Sequence, residues 1–431
     1  MFRKRNLSTR KINKKKGKHL NRAKASLYLF QVLVMSFALI YNLGTIQPSD
    51  ILTYLAILLV VIVSSFILEI VTKTDTTLLL IVNMLFTIGV SIIYRLNPAI
   101  GKKQLIFYLI GLIIFFGTMI ILKLIKNWEN FTLFYFVIAL VLFIATLIFG
   151  QEIGGAKNWI NIGGVSLQLS EFTKIPFIFF IASFYTHYGD LEKKKFGQYY
   201  MTIGTYIFIL LFFLQRELGT AIIFFAVMIL SQFVYEKDYK LISINTILMV
   251  IGLFFAYKTM GHVQTRVNIW KDPWNDAGGE GFQIVQSLIA MANGGLFGTG
   301  IGMGNPNFIP VAESDFIFPA VVEEMGIFTG IGIILLFLLL VYKALQIGYN
   351  QENKFFSILS FTIGSLIGIQ TLVILCGVMK IIPLTGVTLP FLSAGGSSMI
   401  SGFTMLGCLQ YSSRKFELKG VENEETRNNT K

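Results

Sequence analysis

Charged residues are scarce in this chain, at 14% of its 431 residues, whereas a soluble globular domain carries about 25%. Hydrophobic residues make up 54%. They recur in runs near 20 residues, the length that crosses the hydrocarbon core of a bilayer as a helix. This composition excludes a soluble globular fold, and we predict an integral membrane protein.

Cysteine and histidine are also scarce, with two and three copies. Two cysteines are too few for a disulfide framework. We expect Cys376 near the outer end of one helix and Cys408 near the inner end of the next, which excludes a bond between them. The histidines are scattered and form no metal set, and no Walker loop, GxGxxG or CxxC motif is present. Cysteines, histidines and these motifs therefore do not mark a functional site in this chain.

Acidic residues are outnumbered by basic ones, 23 to 36. Residues 2–24 hold eleven Lys and Arg and no acid. This predicts a basic cytoplasmic arm over residues 1–26 that lies against anionic lipid. The arm lacks interleaved aromatic residues, so we expect no nucleic-acid partner. Basic loops such as 191–196 and 235–240 indicate a cytoplasmic N- and C-terminus, and the predicted outer loop 95–104, with Arg95, is the one exception.

The apolar runs predict an all-α, polytopic membrane bundle of about twelve transmembrane helices. The expected spans are 27–46, 51–71, 77–94, 105–125, 131–150, 168–186, 199–214, 217–235, 241–258, 317–345, 355–378 and 388–412. Two segments fall on the outer face: a loop at 151–167 and a long loop at 259–316, which contains a short helix at 282–292. A loop as long as 259–316 is uncommon unless it is functional or disordered, and its mixed composition favours function.

Asp315 stands directly before an apolar span, in the sequence "VAESDFIFPAVVEEMG" at 311–326. Ionisable residues at a membrane boundary persist mainly where they pair, line a wet cavity or do chemistry. Two interpretations stay open: a helix N-cap with Ser314, or a functional carboxylate. Glu323 and Glu324 lie deeper in the same span, and we expect them to pair with a Lys or Arg.

A second set of polar residues surrounds the predicted span 168–186. Glu171 and Lys174 stand three residues apart on one helix face, which suits a structural ion pair. With Lys157 and Trp159 of the preceding loop they also suit a lipid headgroup site, Lys for phosphate and Trp for the interface or a sugar face. The stretch "SAGGSS" at 393–398 offers backbone N–H groups to an anion.

Five stretches together resemble the RodA/FtsW/SpoVE family, the SEDS proteins of bacterial envelopes. They occur in order from about 154 to 412: "GAKNWINIGGVSLQLSEFTK", "QRELGTA", "GFQIVQSLIAMANGGLFGTGIG", "SDFIFPAVVEEMGIFTG" and "PLTGVTLPFLSAGGSSM". The chain departs from the family pattern at Val311 and Glu313, which replace an acid and a histidine, and at Leu169, which replaces a proline. The family core has ten spans, so twelve spans imply an extra N-terminal pair.

The resemblance divides the chain into the arm 1–26, N-terminal helices 27–150, a catalytic membrane core 151–412 and a cytoplasmic tail 413–431. It implies a peptidoglycan glycosyltransferase in the bacterial cytoplasmic membrane that polymerises lipid II, with its active site facing outward. A class B penicillin-binding protein is the implied partner. Elongation, division and sporulation remain equally open as its setting.

The resemblance also assigns roles to residues. Asp315 falls on the catalytic aspartate of the family, and Trp159, Glu171 and Lys174 fall on further functional positions. Motif positions of less defined role, which we expect to bind substrate, are Gln286, Ser287, Glu324, Ser397 and Ser398.

The expected reaction joins two lipid-linked disaccharides and expels a polyprenyl pyrophosphate, which requires a base and cations for the leaving group. We expect Asp315 to be that base or to hold a divalent cation, Mg²⁺ or Mn²⁺. Lys174, Arg266 and Lys157 would offset the phosphate charge. Two alternatives are a lipid II flippase and a non-enzymatic scaffold that recruits a penicillin-binding protein.

Overall fold

The structure is a computed structural model that describes residues 24–34, 36, 48–72, 76–153, 155–162, 165–194, 196–236 and 238–429. The predicted basic arm lies outside these residues except for its last positions from Lys24 onward. The helices are α1 (Lys24–Val34), α2 (Pro48–Thr72), α3 (Thr77–Leu96), α4 (Pro98–Leu124), α5 (Thr132–Phe149), α6 (Leu169–Thr186), α7 (Tyr188–Leu191), α8 (Tyr200–Leu214), α9 (Leu218–Tyr235), α10 (Tyr239–Thr259), α11 (Gly261–Lys271), α12 (Phe282–Gly294), α13 (Ile317–Asn350), α14 (Lys354–Val378) and α15 (Gly396–Asn429).

Among the described residues, nine helices are long and apolar enough to cross a bilayer: α2, α3, α4, α5, α8 with its preceding turn, α9, α10, α13 and α14. Helices α1, α6 and α15 overlap three further predicted spans, so the count of twelve stays a prediction. The most apolar window of α3 is 94% buried inside the protein, against 11% for α10. Helix α3 therefore lies at the centre of the bundle, while α10 lies at its edge with its apolar side chains exposed.

The predicted outer loop at 95–104 is wrong. Helix α3 ends at Leu96 and α4 begins at Pro98, so only Asn97 separates the two helices. The Asn97 side chain accepts hydrogen bonds from the N–H groups of Ala99 and Ile100, at 3.0 and 3.2 Å. An asparagine cap followed by proline at the first helical position starts a helix at once, without a loop.

The predicted loop at 151–167 is instead a small antiparallel sheet in the order β1 (Gln151–Ile153), β2 (Ala156–Ile162) and β3 (Val165–Gln168). Its register pairs Trp159 with Gln168 and Ile162 with Val165. Glycine pairs separate runs rich in β-branched and aromatic residues, which is the pattern of hairpins. The sheet follows α5 directly and runs into α6.

The segment 259–316 contains helices α11 and α12 and two 3₁₀ turns, Pro273–Asp276 and Pro306–Phe308. The short helix expected at 282–292 is confirmed by α12. The last predicted span starts later than expected, at Gly396 instead of 388. Residues 390–395 form turns there because Pro390 cannot continue a helix and Phe391 adopts a positive φ of 64°.

Helix α13 is interrupted at Gly326, whose φ of 81° and ψ of 170° are not helical. A Cβ at this position would lie 2.4 Å from the Leu296 carbonyl oxygen, so only glycine fits. The N–H groups of Ile327 and Phe328 donate to the carbonyls of Gly295 and Leu296, at 2.9 and 3.3 Å. The break in α13 therefore docks the glycine-rich segment that follows α12.

Candidate functional site

Asp315 lies in the turn before α13 and does not cap that helix. The N-cap residue is Phe316, and no side-chain cap bond is present there. Asp315 Oδ1 instead accepts a hydrogen bond from the Ser314 hydroxyl at 3.0 Å. The N-cap interpretation of Asp315 is therefore wrong, and a functional carboxylate stays a prediction.

Arg266 of α11 approaches Asp315 across a glycine of the 379–395 segment. A Cβ placed on Gly386 would lie 3.3 Å from Arg266 Nη2 and 3.5 Å from Asp315 Oδ2. Arg266 Nη1 donates to the Thr385 carbonyl at 3.0 Å, which holds the guanidinium over this glycine. Gly386 has a φ of +69° and leaves the space in which the two side chains converge.

Burial sets the electrostatics of this pair. It raises the pKa of the Asp315 carboxyl, and the Ser314 hydrogen bond and the Arg266 charge oppose that rise. Burial lowers the pKa of Arg266, which the Asp315 charge opposes, although a guanidinium stays protonated. A carboxylate with a raised pKa is a better proton acceptor near neutral pH than an exposed one.

A cavity of about 340 Å³ opens beside Arg266. Its charged and polar lining comes from α11, α12, the segment between them and the segment after α14: His262, Arg266, Trp270, Glu280, Gln283 and Lys380. The Trp270 indole donates to the Lys380 carbonyl at 3.2 Å, which ties α11 to the segment after α14. Burial lowers the pKa of His262, and the charges of Arg266 and Arg216 add to that effect. Besides His262, the basic side chains that line the cavity are Arg266 and Lys380.

The backbone around Asp315 is held by Ser393, Ala394 and Gln104, none of which was predicted as a site residue. The Ser393 hydroxyl donates to the Ser314 carbonyl at 2.6 Å, and the Ala394 N–H donates to the Glu313 carbonyl at 2.8 Å. Gln104 of α4 in turn donates to the Ser393 carbonyl at 2.9 Å. Ser393 opens the "SAGGSS" stretch, so its motif was visible in the sequence. Gln104 gave no such signal.

Glu171 and Lys174 form a closed, buried pair. Their charged atoms are 2.5 Å apart, and their side chains are 5% and 1% exposed. Lys174 also donates to Gln370 at 2.9 Å, and Glu171 accepts from the Ser401 hydroxyl at 3.0 Å. The pair joins α6, α14 and α15, and neither residue lines the cavity beside Arg266.

The remaining residues of the predicted headgroup site lie near the sheet. The Lys157 ammonium donates to the Leu147 carbonyl of α5 at 2.6 Å, and half-buried Trp159 pairs with Gln168 across β2 and β3. The Ser397 hydroxyl accepts from the Gln168 N–H at 2.8 Å. Ser398 is buried one residue further along α15. These contacts fasten the sheet onto the bundle.

Glu217, which belongs to the stretch "QRELGTA", is buried at the start of α9. It accepts from the Thr220 hydroxyl at 2.7 Å and from the Gln168 amide at 3.3 Å. Burial raises the pKa of this carboxyl. Glu217 therefore adds to the hydrogen bonds that join the sheet to the bundle.

Glu324 pairs with Arg95, as expected for a buried acid in a span. Its other oxygen accepts from the Gly302 N–H at 3.1 Å, and Arg95 donates to the carbonyls of Gly302 and Gly304. Glu323 accepts from the Asn305 N–H at 3.0 Å. Both acids thus anchor the glycine-rich segment to α13.

The two predicted residues of α12 have different settings. Ser287 is buried and donates to the Val378 carbonyl at 3.4 Å, while Gln286 is half-buried. Gln283, one turn before Gln286, lines the cavity. Within the described residues, no group of three or more His, Cys, Asp or Glu side chains is arranged to hold a metal ion.

A sequence profile of the FtsW/RodA/SpoVE family, described as cell cycle proteins, matches residues 71–417. The peptidoglycan glycosyltransferase RodA of Mycobacterium tuberculosis is 31% identical over 276 residues, which are 60% of this chain and 58% of that protein. The chain therefore matches less than two thirds of the mycobacterial relatives. The stage V sporulation protein E of Bacillus subtilis is 31% identical over 80% of this chain and 98% of its own length.

Two solved structures share the fold. A chain of a peptidoglycan synthase complex, from a study of how polymerization and crosslinking are coordinated, superposes with a TM-score of 0.65 at 20% identity. The match covers 80% of this chain and 98% of that one. The rod shape determining protein RodA of Thermus thermophilus gives a TM-score of 0.57 at 21% identity over 79% and 97% of the chains. At these identities the likeness supports the fold alone.

Proposed function

The chain belongs to the FtsW/RodA/SpoVE family of cell cycle proteins, and from that premise we propose that it is a peptidoglycan glycosyltransferase that polymerises lipid II. The observation that carries this proposal is the convergence of Asp315 and Arg266 over Gly386, beside a cavity that also holds Lys380. A proton acceptor and cations for the leaving group are what the transfer requires.

In the proposed reaction, a sugar hydroxyl of one lipid-linked disaccharide attacks the anomeric carbon of another. The Asp315 carboxylate takes the hydroxyl proton as the new C–O bond forms. The bond from the anomeric carbon to the pyrophosphate oxygen breaks, and its electron pair leaves with the polyprenyl pyrophosphate. Arg266 and Lys380 stabilise the negative charge that develops on this leaving group. Lys174 is bonded to two buried partners, so we assign it a structural role.

A divalent cation, Mg²⁺ or Mn²⁺, is compatible with this site in one arrangement. Mg²⁺ is usually bound through one or two carboxylates together with substrate phosphates. Asp315 would be the protein ligand, and the pyrophosphate would complete the coordination. Such an ion would supply Lewis-acid stabilisation of the leaving group, in competition with Arg266 for the same carboxylate.

The proposed setting is the cytoplasmic membrane, with both termini in the cytoplasm and Asp315 at the outer surface. The basic arm and basic loops support this orientation through the positive-inside rule. A class B penicillin-binding protein is the proposed partner, since a neighbouring fold comes from a complex whose study concerns polymerization and crosslinking. A flippase could use the buried acids Glu323 and Glu324 on a transport path, but these acids hold the glycine-rich segment through Asn305 and Gly302, which supports the glycosyltransferase over the flippase alternative.

The test is polymerisation of lipid II by the purified full-length protein, alone and with a class B penicillin-binding protein. We expect glycan strands from the wild type and a loss of about 10²–10⁴-fold for Asp315→Asn, the usual contribution of a general base. Asparagine keeps the size of the side chain and an oxygen for the Ser314 hydroxyl.

The matched control is Glu152→Gln, because Glu152 is an exposed acid of the sheet that pairs with Arg216 at 3.2 Å. This variant should polymerise like the wild type. Equal strand formation by Asp315→Asn would refute the assignment of the base. No strands from any form, with or without a partner, would refute the glycosyltransferase itself.

A further inference from the structure

A cavity of about 680 Å³ lies at the end of the bundle opposite Asp315. It is enclosed by the start of α5, the end of α6, α7 and α8. Helix α6 separates the two ends by 18 residues, about 27 Å at 1.5 Å per residue. The volume is within the range of roughly 300–1,000 Å³ that small-molecule sites occupy.

The walls of this cavity are apolar and its mouth faces the bilayer. Phe136 and Phe180 form one wall, with ring centroids 5.7 Å apart. Leu133 of α5 and Ile203 of α8 line the cavity and are 74% and 52% exposed. Both sit on candidate spans, where an exposed side chain contacts lipid. The cavity is therefore a cleft between α5 and α8 that opens sideways.

The floor of the cleft is kept open by a glycine. A Cβ on Gly204 would lie 3.0 Å from Phe180 Cζ and 3.2 Å from Phe136 Cε2. A larger residue would fill the space between the two rings. The apolar space beside the two rings suits a hydrocarbon chain.

The rim of the cleft carries charges of both signs at the ends of the spanning helices. Glu129 precedes α5, and His187 and Lys194 follow α6; all three line the cleft. His187 Nδ1 is 3.2 Å from the Ser183 carbonyl oxygen. Asp190, also on the rim, pairs with exposed Lys193 at 3.4 Å.

We infer that this cleft binds one glycerophospholipid with an amine-bearing headgroup. One acyl chain lies between the aromatic wall and α8, the phosphate faces Lys194, and the ammonium faces Glu129. A headgroup without an amine would place its phosphate near Lys194 but would offer no cation to Glu129. This inference is independent of the polymerase proposal, because the cleft shares no residue with the cavity beside Arg266 and does not include Asp315.

The experiment is native mass spectrometry of the purified full-length protein, titrated with dioctanoyl phosphatidylethanolamine, phosphatidylglycerol and phosphatidylcholine. We expect one saturable phosphatidylethanolamine adduct, bound more tightly than the other two lipids. Lys194→Gln should weaken it about fivefold, the effect of about 1 kcal/mol per basic residue near a membrane surface. Glu129→Gln should remove the preference over phosphatidylglycerol.

Lys193→Gln is the matched control. It removes the same charge one residue earlier in the chain, and Lys193 does not line the cleft. It should change the affinity less than twofold. Ile207→Trp and Ile203→Trp fill the cleft from two positions and should each abolish the adduct. Equal weakening by the two lysine variants, adducts that survive both tryptophans, tighter binding of phosphatidylglycerol, or equal binding of chain-free glycerophosphoethanolamine would each overturn the inference.

Discussion

Two pairs of oppositely charged side chains lie toward the same end of the bundle, and only one of them is a closed ion pair. Glu171 and Lys174 are in contact at 2.5 Å, and Ser401 and Gln370 complete their hydrogen bonds. Asp315 and Arg266 instead converge over Gly386 with a cavity beside them. An acidic and a basic side chain therefore stabilise the fold in one place and are available to a ligand in the other.

The difference lies in what surrounds each pair. The closed pair is enclosed by three packed helices, so its charges are satisfied within the protein. The open pair is assembled from segments that only meet there, namely α11, the turn before α13 and the 379–395 segment. A residue pattern alone does not separate these cases, whereas substitutions should.

The largest expected effect on stability comes from breaking the closed pair. Lys174→Met would leave the Glu171 carboxylate buried without its cation, which costs about 3–5 kcal/mol. Thermal unfolding in detergent would measure this loss. Unfolding exposes the buried Cys408 thiol, which is then detected by its reaction with a fluorogenic maleimide.

A second substitution separates charge from packing. Glu171→Gln added to Lys174→Met removes the unpaired charge, so the double variant should recover a large part of the lost stability. A double variant no more stable than Lys174→Met would show that the pair matters through its shape and not through its charge.

The next effect is expected at the glycine of the open pair. Gly386→Ala forces a side chain into a left-handed backbone conformation, at about 1–2 kcal/mol, and sets a methyl group 3.3 Å from Arg266 Nη2. We expect reduced polymerisation with a modest fall in unfolding temperature. Gly332→Ala is the control, because its Cβ would meet nothing within 4 Å. Unchanged polymerisation by Gly386→Ala would argue against the convergence as the site.

Much of the helical architecture could be predicted because each span is a local apolar run. The ends of α3 and α14, for example, fall within a few residues of the prediction. Failures occurred where short polar stretches decide the local structure. Asn97 and Pro98 start a helix where a loop was expected, and glycine-separated β-formers make a sheet at 151–168.

The candidate site was predictable only in part. Asp315 stood out as an acid beside a span, and Arg266 was expected to act on phosphate. The bond from Gln104 to the Ser393 carbonyl joins residues 289 positions apart. Arg95 likewise reaches segments more than 200 positions away. Long-range contacts of this kind follow from how helices pack, which no local pattern in one sequence encodes.

The pH dependence of polymerisation would test whether Arg266 acts on Asp315. Polymerisation should fall as the pH drops through the raised pKa of Asp315, because the base must be ionised. The Arg266 charge opposes that raised pKa. Arg266→Gln should therefore shift the acid limb of kcat/KM to higher pH, apart from any loss of activity. Lys380→Gln should lower activity without moving the limb. A limb that stays in place in Arg266→Gln would separate Arg266 from the base.

The smallest effect should come from a pair that is neither closed nor beside a cavity. Glu152 and Arg216 are 3.2 Å apart and 58% and 57% exposed, and exposed pairs contribute about 0–1 kcal/mol. Water satisfies both groups when the partner is removed, so Glu152→Gln should leave the unfolding temperature nearly unchanged. The loss should shrink further in high salt, which screens exposed charges. A destabilisation as large as that of Lys174→Met would mean that burial is not what distinguishes the closed pair.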